Sequence, residues 1–160
     1  MLLYLVRHAD AGDPAAWTGP DAARPLSEKG RTQAERLGVF LADHDVRPDA
    51  LITSPKLRAA QTAEIVAGHL GLAVATDDRL AGALDLATLD AVLTDAGDPE
   101  RPMLFGHDPD FSEFVAELCD AANAPMRKGA LAKIEVDRPL ERGGGTLRWL
   151  IPPDAVRPKR

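Results

Sequence analysis

Short apolar runs alternate along the chain with longer stretches of mixed polarity. The first run, residues 2–6, is rich in Leu, Val and Tyr and is shorter than the roughly ten residues of a buried helix, so it predicts a strand buried on both faces. Residues 50–53 and 102–105 have the same character, and a brief strand is expected near Val74. The three longer runs each end abruptly at polar residues.

Between these strands, apolar residues recur at helical spacing. Residues 28–43 predict the first helix, in which Ser27 is the N-cap and Ala34, Leu37 and Leu41 belong to the inward stripe. Three further helices are expected, marked by Ile65, Val66 and Leu70, by Leu86, Leu89, Val92 and Leu93, and by Phe111, Phe114, Val115 and Leu118.

A polar residue followed by proline precedes two of these helices. Ser54 and Asp108 are each expected to cap a helix whose first position is the following proline, where the missing N–H costs nothing. Gly71 is expected to end the helix that Ser54 begins.

The last part of the chain has a different pattern. Residues 131–136 and 146–151 alternate in polarity around a glycine-rich turn, which predicts a β-hairpin or two neighbouring edge strands. Residues 11–25 lack periodicity and predict a long loop, of the kind that is often functional. The alternation of strands and helices predicts a three-layer α/β sandwich, a mostly parallel central sheet flanked by helices, in one domain over residues 1–160.

Composition narrows the classes of function. The chain has 160 residues with 45% hydrophobic and 28% charged residues and a net charge of −6, so neither nucleic acid nor a membrane is an expected partner. No apolar run approaches the roughly 18 residues of a membrane span, and the start of the chain does not resemble a signal peptide, so a cytoplasmic location is expected. A single cysteine, Cys119, excludes an internal disulfide and a cysteine-rich metal site.

The polar residues that follow the three longer strands suggest a functional site. Arg7 and His8 follow the first strand, Ser54 and Arg58 the second, and His107 the third. Arg7 and His8 alone could equally be a polar strand terminus, but a second strand that delivers a histidine to its carboxyl end favours a site, because ligands gather at that edge of a parallel sheet.

Two guanidinium groups and two imidazoles suit a phosphoryl group. Guanidinium groups match phosphate oxygens, and a neutral histidine can attack phosphorus. A metal site is the rival interpretation, which is weakened because arginines repel a cation and no third clear ligand is present. No metal and no cofactor are therefore expected.

Four segments together resemble the motifs of the histidine phosphatase superfamily, in the same order along the chain. They are Arg7-His8-Ala9, Arg24-Pro25-Leu26-Ser27-Glu28-Lys29-Gly30, Ser54-Pro55-Lys56-Leu57-Arg58-Ala59-Ala60-Gln61-Thr62 and Gly106-His107-Asp108-Pro109. The short chain and the Arg-Pro-Leu segment are most similar to the SixA-type phosphohistidine phosphatases. The resemblance covers residues 2–151 and implies a phosphoglycerate-mutase-like fold.

The resemblance also implies roles. His8 would attack phosphorus and become transiently phosphorylated, while Arg7, Arg58 and His107 would bind the phosphoryl oxygens. Arg24 would approach the same group from the loop, although a solvated loop charge remains an alternative for it. The other two histidines, His44 and His69, match no motif and are expected at the surface or at helix ends.

The chain departs from the family pattern in two ways. Ala9 replaces the usual glycine, which is tolerable if the backbone there has a negative φ but could narrow the pocket. Many members have a glutamate as general acid shortly after a leucine, whereas here Leu80 is followed by alanine and glycine. Asp85 and Asp10 are the remaining candidates for a proton donor, although capping of a helix explains Asp85 equally well.

The absence of a glutamate at the general-acid position bears on which substrate the protein uses. An alkoxide leaving group needs a proton donor, whereas an imidazole with a pKa of about 6.5 can carry its own proton on its second nitrogen. We therefore expect a phosphatase that acts on phosphohistidine in a protein. Alternatives are a phosphatase of small phosphate esters or nucleotides and a phosphate-binding module without turnover. The absence of a long insertion between residues 70 and 102 favours an open site and a protein substrate.

Overall fold

A computed structural model describes residues 1–157 of the chain. Six strands and four α-helices follow one another in the alternating order that the sequence predicts. The strands are β1 (Leu2–Arg7), β2 (Ala50–Thr53), β3 (Val74–Thr76), β4 (Pro102–Gly106), β5 (Leu131–Val136) and β6 (Gly145–Ile151). The helices are α1 (Glu28–Asp43), α2 (Leu57–Leu70), α3 (Leu86–Asp95) and α4 (Asp110–Leu118).

The six strands form one mixed sheet in the order β3-β2-β4-β1-β5-β6. The first four strands are parallel, β5 runs antiparallel to β1, and β6 runs antiparallel to β5. The hairpin of β5 and β6 therefore lies at one edge of the sheet, as the alternating pattern predicts. Arg7 pairs with Gly106, so that β1 and β4 end at the same level.

The helices cover both faces of the sheet and make the three layers that the sequence predicts. On β1, Leu3 and Leu5 pack into the cluster that holds the buried residues of α3 and α4. Tyr4 and Val6 point to the opposite face and pack with the buried residues of α1 and α2. Successive side chains of a strand alternate between its faces, so one short apolar run contributes to both cores.

The starts of the helices are predicted with mixed success. Ser27 accepts the Gly30 N–H at 3.0 Å and caps α1 as expected. The prediction that Ser54 caps α2 at Pro55 is wrong, because the helix begins at Leu57 and the Ser54 hydroxyl takes another partner, described below. Helix α4 begins one residue later than predicted.

Asp108 nonetheless serves the first turn of α4. Its Oδ1 accepts the backbone N–H of Ser112 at 3.1 Å, and its Oδ2 accepts the Ser112 hydroxyl at 2.5 Å. The loop over residues 11–25 contains two single turns of 3₁₀ helix, Pro14–Ala16 and Asp21–Ala23, which the lack of periodicity did not predict.

Two glycines of α1 allow close approach of other parts of the chain. A Cβ on Gly38 would lie 2.5 Å from Cδ2 of His69, so this glycine lets α2 pack against α1. A Cβ on Gly30 would lie 1.9 Å from the carbonyl oxygen of Asp10, so this glycine lets the chain that leaves β1 pass over the helix. No helix within residues 1–157 is long and apolar enough to cross a membrane.

Candidate active site

The sheet brings the predicted histidines together at the carboxyl ends of its two central strands. The ring centroids of His8 and His107 lie 5.3 Å apart, with the ring planes tilted by 53°. The His8 N–H donates to the Gly106 carbonyl at 2.9 Å, and the Ser54 N–H donates to the Phe105 carbonyl at 3.0 Å. These bonds continue the hydrogen-bond pattern of the parallel strands beyond their ends. They hold the segments that carry His8, Ser54 and His107 side by side at the same edge of the sheet.

His8 is held as a neutral imidazole with one defined nitrogen available. Its side chain is buried, and Nδ1 lies 2.8 Å from the carbonyl oxygen of Ala9. Since a carbonyl can only accept, Nδ1 carries the proton and Nε2 keeps its lone pair. Burial, aided by the charges of Arg58 and Arg7, lowers the pKa of His8 from 6.5 to about 4, so the ring is neutral at pH 7.

His107 is oriented by the serine of the second motif. Its Nε2 lies 2.7 Å from the Ser54 hydroxyl, which itself accepts the Lys56 N–H at 3.2 Å. When the serine donates its proton to Nε2, the ring proton of His107 lies on Nδ1, and this is the tautomer that offers a donor to an anion. Burial and the neighbouring charges of His8 and Arg58 lower the pKa of His107 to about 3.

The three predicted arginines are each tied by their terminal nitrogens to oxygen atoms of the protein. Nη1 of Arg7 donates to the Met126 carbonyl at 2.7 Å. Nη1 of Arg24 donates to the Ala11 carbonyl at 2.8 Å. Arg24 is only 6% exposed, so the alternative of a solvated loop charge is wrong for this residue.

Arg58, the second residue of α2, is also buried, and it is bound by a residue of the loop over residues 11–25. Its Nη1 donates to the Asp21 carbonyl at 2.9 Å, and its Nη2 donates to Oδ2 of the same residue at 3.0 Å. Sequence reasoning missed Asp21. Its position three residues before Arg24 was the only available signal, because one turn of helix brings such a pair together.

Four buried nitrogen atoms have no hydrogen-bond partner among residues 1–157. They are Nε of Arg7, Nε of Arg24, Nε of Arg58 and Nδ1 of His107. A buried donor without a partner costs about 1–3 kcal/mol, so such groups are rare outside functional sites. All four belong to residues that the sequence assigns to the phosphate site, and together they supply donors suited to an anion.

Several polar residues of the motifs support the site without belonging to the predicted set. The Thr62 hydroxyl accepts the Ala9 N–H at 3.1 Å and donates to the Arg58 carbonyl at 2.8 Å, which ties β1 to α2. Gln33 accepts the N–H of Asp10, and Gln61 accepts that of Leu26. Gln61 and Thr62 lie within a resembling segment and Gln33 lies three residues after one, but only the fold shows which backbone groups they bind.

The two candidate proton donors are engaged as hydrogen-bond acceptors. Asp10 accepts the Ser27 hydroxyl at 2.6 Å, a bond that lowers the pKa of Asp10. Asp85 is the N-cap of α3 and accepts the Thr88 N–H at 2.8 Å, which lowers the pKa of Asp85. Both carboxyl groups therefore favour the ionised form, which accepts a proton rather than donating one.

The remaining histidines lie where the sequence places them. His44 is the residue at the carboxyl end of α1, and His69 lies in the last turn of α2 beside Glu35. Within residues 1–157 there is no cluster of three or more His, Cys, Asp or Glu side chains that could hold a metal ion.

Comparison with known proteins agrees with this geometry. Residues 3–84 match the family described as the histidine phosphatase superfamily (branch 1). The phosphohistidine phosphatase SixA of Escherichia coli (strain K12) is 31% identical over 159 residues, which cover 96% of this chain and 94% of that protein.

Solved structures show the same relationship. The structure of the protein histidine phosphatase SixA complexed with tungstate superimposes with a TM-score of 0.83 at 28% identity, covering 98% of this chain and all of that one. A putative SixA from Agrobacterium tumefaciens superimposes with a TM-score of 0.75 at 24% identity, covering 94% of this chain and 96% of that one, and this likeness concerns the fold.

Proposed function

The chain belongs to the histidine phosphatase superfamily, and from this premise we propose that it is a phosphohistidine phosphatase, with His8 as nucleophile and a phosphorylated protein as substrate. The observation that carries the proposal is the neutral His8 beside the four buried nitrogens that have no partner among residues 1–157. Donors of this kind stabilise the charge that develops on phosphoryl oxygens during transfer.

The first step transfers the phosphoryl group to His8. The lone pair of His8 Nε2 forms a bond to phosphorus while the bond from phosphorus to the substrate's ring nitrogen breaks and returns its electron pair to that nitrogen. The substrate imidazole leaves neutral because its other nitrogen keeps a proton. The proton stays on His8 Nδ1, which donates it in a hydrogen bond to the Ala9 carbonyl throughout, so no proton has to move in this step.

The second step returns the enzyme to its starting state. Water attacks phosphorus, the bond to His8 Nε2 breaks, and both water protons leave with the phosphate as dihydrogen phosphate. Arg7, Arg58 and His107 act in both steps through donors to the phosphoryl oxygens, and Arg24 contributes charge from the loop. The reaction uses groups of this chain and water and needs no cofactor.

The choice of phosphohistidine as substrate rests on the leaving group. The carboxyl groups of Asp10 and Asp85 favour the ionised state, so they suit a leaving group that does not need a protein acid. The relative from Escherichia coli is named a phosphohistidine phosphatase, which agrees with this substrate class.

A protein substrate needs access to the end of the sheet. The chain between β3 and β4 consists of a 3₁₀ turn, Asp78–Ala81, and helix α3. Leu89 and Leu93 of α3 are fully buried in the hydrophobic core. This helix is therefore part of the sandwich, which supports a site without a lid from this segment and a substrate residue carried on another protein.

The test is the release of phosphate from a phosphohistidine protein and from an aryl phosphate. We expect turnover of the phosphohistidine protein by the wild type, loss of this turnover in His8→Ala, and normal turnover in His44→Ala. His44 is a matched control because it is a histidine at a helix end that takes no part in the site. Phosphate trapped on His8 should be labile in acid and stable in alkali, as expected for a phosphorus–nitrogen bond.

Each alternative has its own outcome. Turnover of the aryl phosphate alone would agree with a phosphatase but would overturn phosphohistidine as its substrate. Binding of phosphate without turnover of either compound would overturn the proposal in favour of a binding module. Equal activity of His8→Ala and wild type would overturn the assignment of the nucleophile.

A further inference from the structure

Asp21 connects two arginines of the site from the surface of the loop. Its Oδ2 lies 3.0 Å from Nη2 of Arg58, and its Oδ1 lies 3.5 Å from Nε of Arg24. Its backbone carbonyl accepts Nη1 of Arg58 at 2.9 Å. The Asp21 side chain is 58% exposed, whereas both guanidinium groups are buried.

These contacts bind the terminal nitrogens of Arg58 and leave its Nε free. The side chain and the backbone of Asp21 together occupy both terminal nitrogens of this arginine, which fixes the plane of the guanidinium group. Nε of Arg58 is buried without a partner among residues 1–157, whereas Nε of Arg24 lies 3.5 Å from Oδ1 of Asp21 in an ion pair. The carboxylate therefore holds one edge of Arg58 and leaves another edge for an anion.

The free nitrogens also show that the carboxylate does not itself occupy the place of the anion. A carboxylate bound there would be a hydrogen-bond partner for Nδ1 of His107 and for Nε of Arg58. Neither of these two atoms bonds to Asp21, or to any other residue of the described chain. Asp21 thus contacts the arginines from outside the cluster.

Charge gives a reason for a carboxylate at this position. Arg7, Arg24 and Arg58 carry like charges and converge on one small region, where they repel one another. Asp21 opposes the charges of Arg24 and Arg58, while Asp108 lies 3.6 Å from Arg7 on the other side.

We propose that Asp21 is a positioning residue of the phosphate site, which fixes Arg58 so that its Nε donor faces the phosphoryl group and holds Arg24 beside it through an ion pair. The inference rests on the proposed function for the identity of the substrate, but it applies to inorganic phosphate as well. It assigns to the loop over residues 11–25 a specific part in building the site.

The test measures binding of inorganic phosphate by calorimetry. Since a misplaced binding group can cost about 100-fold, we expect Asp21→Ala to weaken phosphate binding by about 10-fold to 100-fold. Asp21→Asn keeps one acceptor oxygen for Arg58 and should lose less. Asp13→Ala is the matched control, because Asp13 caps the first 3₁₀ turn of the same loop and has no contact with the arginines.

A double-mutant cycle separates positioning from a general effect on the fold. If Asp21 acts through Arg58, the loss caused by Asp21→Ala should shrink when Arg58 is already alanine. Because the arginines stabilise charge in the transition state, Asp21→Ala should lower kcat as well as phosphate affinity. A loss of the same size in both backgrounds would overturn the proposal.

Two further outcomes would also overturn it. Tighter phosphate binding by Asp21→Ala would show that the carboxylate competes with the anion, and unchanged binding would show that it has no part in the site. The proposed function is tested separately, since a wild type that binds phosphate but does not turn over phosphohistidine contradicts that function alone. A wild type that binds no phosphate contradicts both.

Discussion

His8 and His107 lie at the ends of two adjacent parallel strands, with their ring centroids 5.3 Å apart. Both rings are neutral near pH 7, because burial lowers the pKa of His8 to about 4 and that of His107 to about 3. Two protonated imidazoles at this distance, among three guanidinium groups, would repel each other strongly. In the proposed mechanism, the neutral pair offers the lone pair of His8 and the N–H of His107 to the same phosphoryl group.

The first prediction concerns pH. Between pH 6.5 and 4 the unfolded chain protonates His8 and the folded protein does not, so the unfolded state binds more protons and the stability of the fold rises with pH. As the pH is lowered from 7 to 4, the free energy of unfolding should fall by about 3 kcal/mol on account of His8 alone.

Urea unfolding at both pH values, in wild type and in His8→Asn, isolates this effect from that of the carboxylates. The asparagine variant should lose less stability than the wild type over the same interval. In parallel, NMR titration should show that the His8 ring remains neutral down to about pH 5. Equal losses of stability in the two proteins would contradict the low pKa of His8.

The second prediction concerns Ser54, which orients His107. Ser54→Ala removes the partner of Nε2 and leaves a buried nitrogen unsatisfied, so kcat should fall by about tenfold with a smaller change in KM. Ser54→Thr keeps the hydroxyl and should recover most of the activity. Nitrogen chemical shifts of His107 report its tautomer directly. An unchanged tautomer in Ser54→Ala would refute the role of the serine.

The third prediction concerns Ala9, which stands where the family has glycine. Ala9 is fully buried, and it is not among the residues of the described chain with positive φ, so its methyl group is accommodated without backbone strain. Ala9→Gly should lower the free energy of unfolding by about 1 kcal/mol and change kcat/KM by less than about threefold. Urea unfolding and steady-state kinetics check the two parts. A large gain in activity would show that the methyl group narrows the pocket.

The fourth prediction compares two helical glycines. In Gly30→Ala the new Cβ would overlap the Asp10 carbonyl oxygen, so the variant should lose about 2 kcal/mol or more and, with the displaced chain after His8, much of its activity. In Gly68→Ala the Cβ meets no atom within 4 Å, and the variant should gain up to about 1 kcal/mol from helix propensity. Thermal unfolding of both variants provides the comparison, and similar stabilities would contradict it.

The sequence by itself determined the elements and their order. Apolar runs and helical stripes are local patterns, and the bounds of α1 and the strand character of residues 2–6, 50–53 and 102–105 follow from them directly. The polar residues after these strands predicted a phosphate site, because parallel strands deliver their carboxyl ends to one edge. Relationship to a known family follows from the order of the four motifs.

Only the tertiary structure decided which groups meet. Ser54 appeared to be a helix cap, but its hydroxyl binds His107, since β2 and β4 are neighbours in the sheet and not in the chain. Asp21 lies in a loop without periodicity, and its contact with Arg58 spans two elements. The pKa of His8 likewise depends on burial by distant segments. Such long-range contacts are set by packing, which no local pattern of residues encodes.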